Sequence, residues 1–148
     1  MIHRPRLPSL AAVIQGGEGN RYLRGTVKFY QMPGGILVEA EISGLPGNGF
    51  FGFHIHEGGS CTGPSFADTG MHYDPTNMPH PMHVGDLPPL LSAGGKAYMT
   101  VLTDRFSMNE IAGRTVVIHS RPDDFRTQPA GDSGEKIGCG VIQQVKRT

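Results

Sequence analysis

The sequence has no excess of either charge: Lys+Arg and Asp+Glu number 13 each in 148 residues, for a formal net charge of zero. Bulk charge therefore holds neither nucleic acid nor an anionic membrane, and any steering of an ion has to come from a local arrangement. Long apolar runs are also missing. No stretch approaches the roughly eighteen residues that a membrane span requires, and the N-terminal MIHRPRLPSLAAVIQGG is too short and proline-broken for a secretory apolar region. With Met1 as the native start the chain is expected in the cytoplasm; a sequence numbered after a removed leader would be exported. Cysteine is scarce. Cys61 and Cys139 lie far apart, and two such thiols fit either free, inert side chains or one bridge closing a loop of about eighty residues. Long helices are excluded by 22 glycines and 12 prolines, close to a quarter of the chain.

Between those glycines and prolines the residues alternate with a period of two, which predicts an all-β domain spanning residues 1–148. In ILVEAEIS, Ile36, Val38, Ala40 and Ile42 share one face, and Leu37, Glu39, Glu41 and Ser43 the other. RGTVKFYQ just upstream turns Val27 and Phe29 inward, and MPGG, Met32 to Gly35, supplies a hairpin turn between the two. Further strands are expected at Leu10–Gln15, Gly49–His56, Lys96–Thr103, Thr115–His119 and Gly140–Val145. Seven or eight short antiparallel strands imply a β-sandwich or a flattened Greek-key barrel. Two connections, roughly 57–95 and 120–138, are too long for hairpins and are expected to be functional.

The chain has seven histidines, and three of them stand with two aspartates in HYDPTNMPHPMHVGD, His72 to Asp86. Two more, in Phe53-His54-Ile55-His56, project from one face of a strand about 7 Å apart, while Phe51, Phe53 and Ile55 take the other face. A lone H-x-H is more often a pair of solvent-facing residues. Here His72, His80, His83 and Asp86 add three nitrogen donors and a carboxylate, and His119 ends the strand TVVIH. Neutral imidazole suits zinc and copper, and three imidazoles with one carboxylate suit tetrahedral zinc. Pro75, Pro79 and Pro81 restrict the unfolded loop and so lower the entropy lost when its donors converge.

GFHIHE, GMHYDP, HVGDL, GRTVVIH followed by DD, and GCGVI resemble, in order and over nearly the whole chain, the copper/zinc superoxide dismutases. The resemblance implies an eight-stranded antiparallel Greek-key barrel with two long functional loops and with both metals held in loops outside the barrel. It implies copper ligands at His54, His56, His72 and His119, with His72 bridging to a zinc ion that is also held by His80, His83 and Asp86. It further implies that Asp123 accepts hydrogen bonds from one copper and one zinc histidine, and that Cys61 and Cys139 form a disulfide. His3 lies outside every motif.

One position departs from that family. Where the family has an arginine three residues before the second cysteine, guiding superoxide into the copper channel, this chain has Lys136. Lysine keeps the charge but exchanges a rigid two-pronged fork for a hydrated, mobile ammonium. Glu135 beside it offsets part of the field, a solvent-pointing Lys136 would do nothing, and Arg121 and Arg126 are alternative sources of steering. The expected activity is dismutation of superoxide by an enzyme carrying copper and zinc, with His72 and Lys136 taking part in the reaction. The alternative is a slow metal-storage protein on the same fold. A zinc hydrolase is disfavoured because no carboxylate stands beside an open zinc position to act as base. The sequence leaves open whether the chain pairs as a homodimer.

Overall fold

Strands form where the period-two runs stand. The computed structural model describes residues 2–146. Among these the strands are β1 Leu10–Gly16, β2 Arg24–Met32, β3 Gly35–Ser43, β4 Gly49–Phe51, β5 Phe53–His56, β6 Leu90–Ser92, β7 Ala97–Thr103, β8 Thr115–His119, β9 Lys136–Val141 and β10 Gln143–Gln144. One sheet runs in the order β5-β8-β9-β1-β2-β3-β7, with β10 also on β1, and β4 pairs with β6 in a ribbon. Every pairing is antiparallel. β4 runs into β5 through Gly52, and β6 into β7 through the turn Ala93–Lys96, so the ribbon joins the two ends of the path and the sheet curls into a barrel. Three neighbouring pairs, β5–β8, β9–β1 and β3–β7, are out of sequence order, as a Greek key requires.

Alternation sets the core. Ile36, Val38, Ala40 and Ile42 of β3 and Val27 and Phe29 of β2 are buried inside, with Phe53, Ile55, Val116 and Ile118 from the strands that carry the histidines. Met32 faces Gly35 across the expected hairpin turn, where Gly34 takes a positive φ of 82°. Leu37, placed by its alternation on the polar face, is buried there in a second apolar cluster with Tyr30 and Met32. The N-terminal segment covers that cluster: the Arg4 guanidinium lies 4.6 Å from the Tyr30 ring centre and 3.4 Å from the Glu39 carboxylate.

Four elements differ from the sequence expectation. The run 49–56 is two strands, broken at Gly52, whose N–H donates to the Arg121 carbonyl and whose carbonyl accepts from His119 N–H. A Cβ at Gly52 would stand 2.6 Å from that of Ser133, so only glycine permits the crossing. Leu90–Ser92, inside the expected long loop, is a strand paired with β4. β9 starts at Lys136 instead of Gly140; Gly138 and Gly140 continue it because Cβ atoms there would meet Leu23 at 2.8 Å and the Val13 carbonyl oxygen at 2.5 Å. Finally, Met108–Ile111 forms a helical turn, α1, closed by a capping box between Ser107 and Glu110 that buries Ile111.

Candidate metal centre

β5 and β8 pair Phe53 with Ile118, and a bulge follows between Ile118 and His119. His54, His56 and His119 are thereby carried to one region, all of them buried. The loop 57–89 then folds back along the outer edge of β5. Tyr73 N–H donates to the Ile55 carbonyl (2.8 Å), Ile55 N–H to Gly85 (2.8 Å) and Gly85 N–H to Tyr73 (2.9 Å). Those bonds place His72 opposite His56 and Asp86 opposite His54. Gly85 has to be glycine, since a Cβ would sit 2.2 Å from the Ile55 carbonyl oxygen.

Hydrogen bonds to the far ring nitrogens fix which atoms face inward. His56 Nδ1–H donates to the Gly70 carbonyl (2.9 Å) and His119 Nδ1–H to the Gly134 carbonyl (3.3 Å), because a carbonyl can only accept. Their Nε2 atoms are therefore lone pairs, and they face each other at 3.2 Å. Burial, helped by the charges of neighbouring histidines, holds the His56 imidazole well below its usual value, and burial chiefly pushes His119 down to about 3. Two neutral acceptors turned on each other repel; a cation in front of them removes the conflict. Three more buried ring nitrogens, His54 Nδ1, His72 Nε2 and His80 Nδ1, have no hydrogen-bond partner. Orphaned buried acceptors are costly unless something fills the position, and neutral imidazoles suit a metal ion.

The donors fall into two groups that could hold a metal ion. His54, His56, His72 and His119 form one, their ligand atoms all within 4.8 Å of one another; His54, His72, His80 and Asp86 meet the same limit. His83 belongs with the second group, its Nδ1 lying 3.1 Å from Asp86 Oδ2 and 3.3 Å from His72 Nδ1. His72 Nδ1 is 2.8 Å from Asp86 Oδ1. His80 Nδ1 is 3.0 Å from Asp86 Oδ2 but out of line for a hydrogen bond. With His83 counted, three Nδ1 atoms, those of His72, His80 and His83, surround the Asp86 carboxylate. Burial raises the Asp86 carboxyl, but the hydrogen bond and charge of His72 outweigh it and the net direction is down.

Asp123 ties the groups together. Its Oδ2 accepts from His54 Nε2 and its Oδ1 from His80 Nε2, both at 2.8 Å, and Oδ1 also accepts from Phe125 N–H. Burial opposes ionisation of this carboxyl, yet these bonds hold it far below the usual carboxylate range. The Asp123 bonds fix the tautomers that leave His54 Nδ1 and His80 Nδ1 as acceptors.

A cavity of about 460 Å³ opens on the first group, lined by His56, His72, His119, Glu57, Met71 and Lys136 among others. Lys136 stands at the start of β9, opposite His119, and not in the loop where the sequence reading put it. Nor does it point to solvent: its Nζ donates to Thr69 Oγ1 (2.8 Å) and to the Gly70 carbonyl (2.9 Å). Desolvation lowers its pKa, against a raising pull from Glu57. Arg121 is instead paired with Asp132 at 2.7 Å, and neither it nor the exposed Arg126 lines the cavity. His3 is exposed, away from the centre. Cys61 and Cys139 form the disulfide, joining the loop 57–89 to β9.

The sequence reading missed three supporting residues. Arg105 donates through Nη1 to the carbonyls of Pro81 (3.2 Å), His83 (3.4 Å) and Asp86 (3.2 Å), holding the loop that carries the second group. Gly131, with φ +67°, passes so near Asp123 that a Cβ would fall 2.0 Å from Oδ1. Thr69 is wholly buried beneath Lys136. Only the glycine had a signal, a G-D step in a turn-rich loop; nothing local distinguishes Arg105 or Thr69 from surface residues.

Comparison with known proteins follows the same residues. Residues 23–142 match the family described as copper/zinc superoxide dismutase. The chain is 33% identical over 134 residues to superoxide dismutase (Cu-Zn) 2 of Aquifex aeolicus, covering 80% of this chain and 78% of that one. It is 38% identical over 143 residues to superoxide dismutase (Cu-Zn) of Deinococcus radiodurans, covering 82% and 78%. Among solved structures, a double mutant of a SOD-like protein from Bacillus subtilis superposes with a TM-score of 0.76 at 28% identity, covering 90% of this chain and 96% of that chain.

Proposed function

We propose that this chain, which belongs to the copper/zinc superoxide dismutase family, binds one copper and one zinc ion and converts two superoxide anions and two protons to dioxygen and hydrogen peroxide. The observation that carries the reading is the opposed lone pairs of His56 Nε2 and His119 Nε2 beside the unpartnered His54 Nδ1 and His72 Nε2. These four nitrogens would hold copper. His72 Nδ1, His80 Nδ1, His83 Nδ1 and an Asp86 oxygen would hold zinc, and an N₃O donor set is the type that suits a closed zinc site. When bound, copper supplies a one-electron couple that serves both halves of the reaction, and zinc a redox-silent charge that polarises His72.

The chain's own residues do the rest. His72 Nε2 would give up its place on the metal when it takes a proton in the first half, and would return to it on handing that proton to the peroxide oxygen in the second, the other proton coming from water. Asp123 keeps His54 and His80 in the required tautomers. Lys136 attracts the anion to the cavity and donates a hydrogen bond to it.

A second reading, a copper- and zinc-binding protein with little turnover, is favoured by one observation: the cavity presents an ammonium where the family has a guanidinium. Metal analysis joined to stopped-flow superoxide decay separates the two. The dismutase reading expects one copper and one zinc per chain and decay far faster than a copper-free control; Lys136→Glu should slow it roughly tenfold by reversing the local field, and added salt should slow it too. A fully loaded protein that does not exceed the control rejects it in favour of binding alone.

A further inference from the structure

An ammonium on a four-carbon stem is a poor guide if it wanders. In this structure the Lys136 ammonium has two protein acceptors, and the side chain among them is that of Thr69. The Thr69 hydroxyl donates to the Phe66 carbonyl at 2.8 Å, which commits its hydrogen and leaves its oxygen as an acceptor. Lys136 Nζ donates to that oxygen at 2.8 Å and to the Gly70 carbonyl at 2.9 Å. The same Gly70 carbonyl accepts from His56 Nδ1, so the ammonium and a copper-side imidazole share one anchor. The disulfide fastens the anchor's loop to the strand that carries Lys136.

We propose that Thr69 is a positioning residue for Lys136: with Gly70 it occupies two of the three ammonium N–H donors and aims the third into the histidine-lined cavity, where it meets a small anion. The three donors of an ammonium are tetrahedrally arranged, so two fixed acceptors determine the direction of the third. No third protein acceptor engages Nζ among the described residues. The pair Lys136–Thr69 thus restores by tethering part of the directional constraint that a planar guanidinium has by its own geometry. The inference rests on the dismutase reading for the identity of the anion, but not for the tether.

The test compares Thr69→Val, Thr69→Ala and Thr69→Ser with the parent protein, loaded with zinc and reduced copper so that all are diamagnetic. Valine keeps the buried shape and removes the hydroxyl; serine keeps the hydroxyl. Carbon-13 relaxation at the Lys136 Cε reads the tether directly, with the exposed Lys96 as the mobile reference. In the parent, Lys136 should be ordered; in Thr69→Val and Thr69→Ala its order parameter should fall below about 0.6, the range of flexible groups, and in Thr69→Ser it should recover. The bimolecular rate with superoxide should fall roughly threefold to tenfold in the two hydroxyl-free variants, as expected for losing one ordinary hydrogen bond while the Gly70 carbonyl still holds the ammonium, and recover in Thr69→Ser. Lys136 as mobile in the parent as Lys96, or equally ordered in all four proteins, overturns the proposal, as does a rate unchanged when order is lost. Should even the parent fail to outpace its copper-free control, the dismutase reading fails, and the relaxation data still decide whether Thr69 holds Lys136.

Discussion

Gly131 shows how little room surrounds the carboxylate that joins the two histidine groups. A methyl there would collide with Asp123 Oδ1 and stand 2.7 Å from His80 Nε2, at a φ that favours glycine. Gly131→Ala should therefore displace Asp123, cost about 2 kcal/mol or more in stability and weaken zinc binding about tenfold to a hundredfold, as read by melting curves and chelator competition. Unchanged zinc affinity would detach Asp123 from the metal ligands. The histidines give a second prediction, for the metal-free protein. Burial lowers His54 to about 4 and His119 to about 3 from an ordinary 6.5. Between those values and 6.5 the unfolded chain binds more protons, so stability is complete above about pH 6.5 and falls as the pH drops towards 4, on the order of 3 kcal/mol for His54 alone. Asp86 and Asp123, held low, add a further loss below about pH 4. Chemical denaturation at a series of pH values checks the slope, and stability level from pH 7 to 4 would contradict it.

Among the elements, the long strands were legible because alternation is itself the burial pattern: Ile36, Val38, Ala40 and Ile42 point where their spacing says. The breaks were not. Gly52, Gly138 and Gly140 look alike in sequence, yet Gly52 divides β4 from β5 while the other two lie within β9; the difference is which remote group would meet a Cβ. The histidines and Asp86 were legible as a set because their side chains have few other reasons to cluster. Thr69 and Arg105 were not, since each acts through hydrogen bonds to backbone or side chain far along the chain. The loop 57–89 is the element most dependent on covalent help. Its bridge, Cys61 to Cys139, spans a sequence separation of 78, for which the chain-entropy account gives a stabilisation of about 4.5 kcal/mol. Reduction should lower the melting temperature markedly and speed amide exchange at Tyr73 and Gly85, whereas native oxidised protein should leave both thiols closed to alkylation. Equal melting of the two forms would show that the loop stands without its bridge.

At the scale of the whole molecule, the loop that presents His72 and Asp86 also occupies the free side of β5, the terminal strand of the sheet path. An open strand end of this kind offers unpaired N–H and C=O groups to any other extended chain. Reduced and stripped of metal, the loop should keep only its backbone hydrogen bonds to β5 and detach more readily, which would leave Ile55 as a bare template. Light scattering should then show self-association absent from the loaded, oxidised protein, together with accelerated exchange at the Ile55 amide; unchanged size and full protection of Ile55 would contradict it. On that expectation metal occupancy doubles as quality control: a copy lacking its ions would be adhesive, and its solubility would become a function of metal supply.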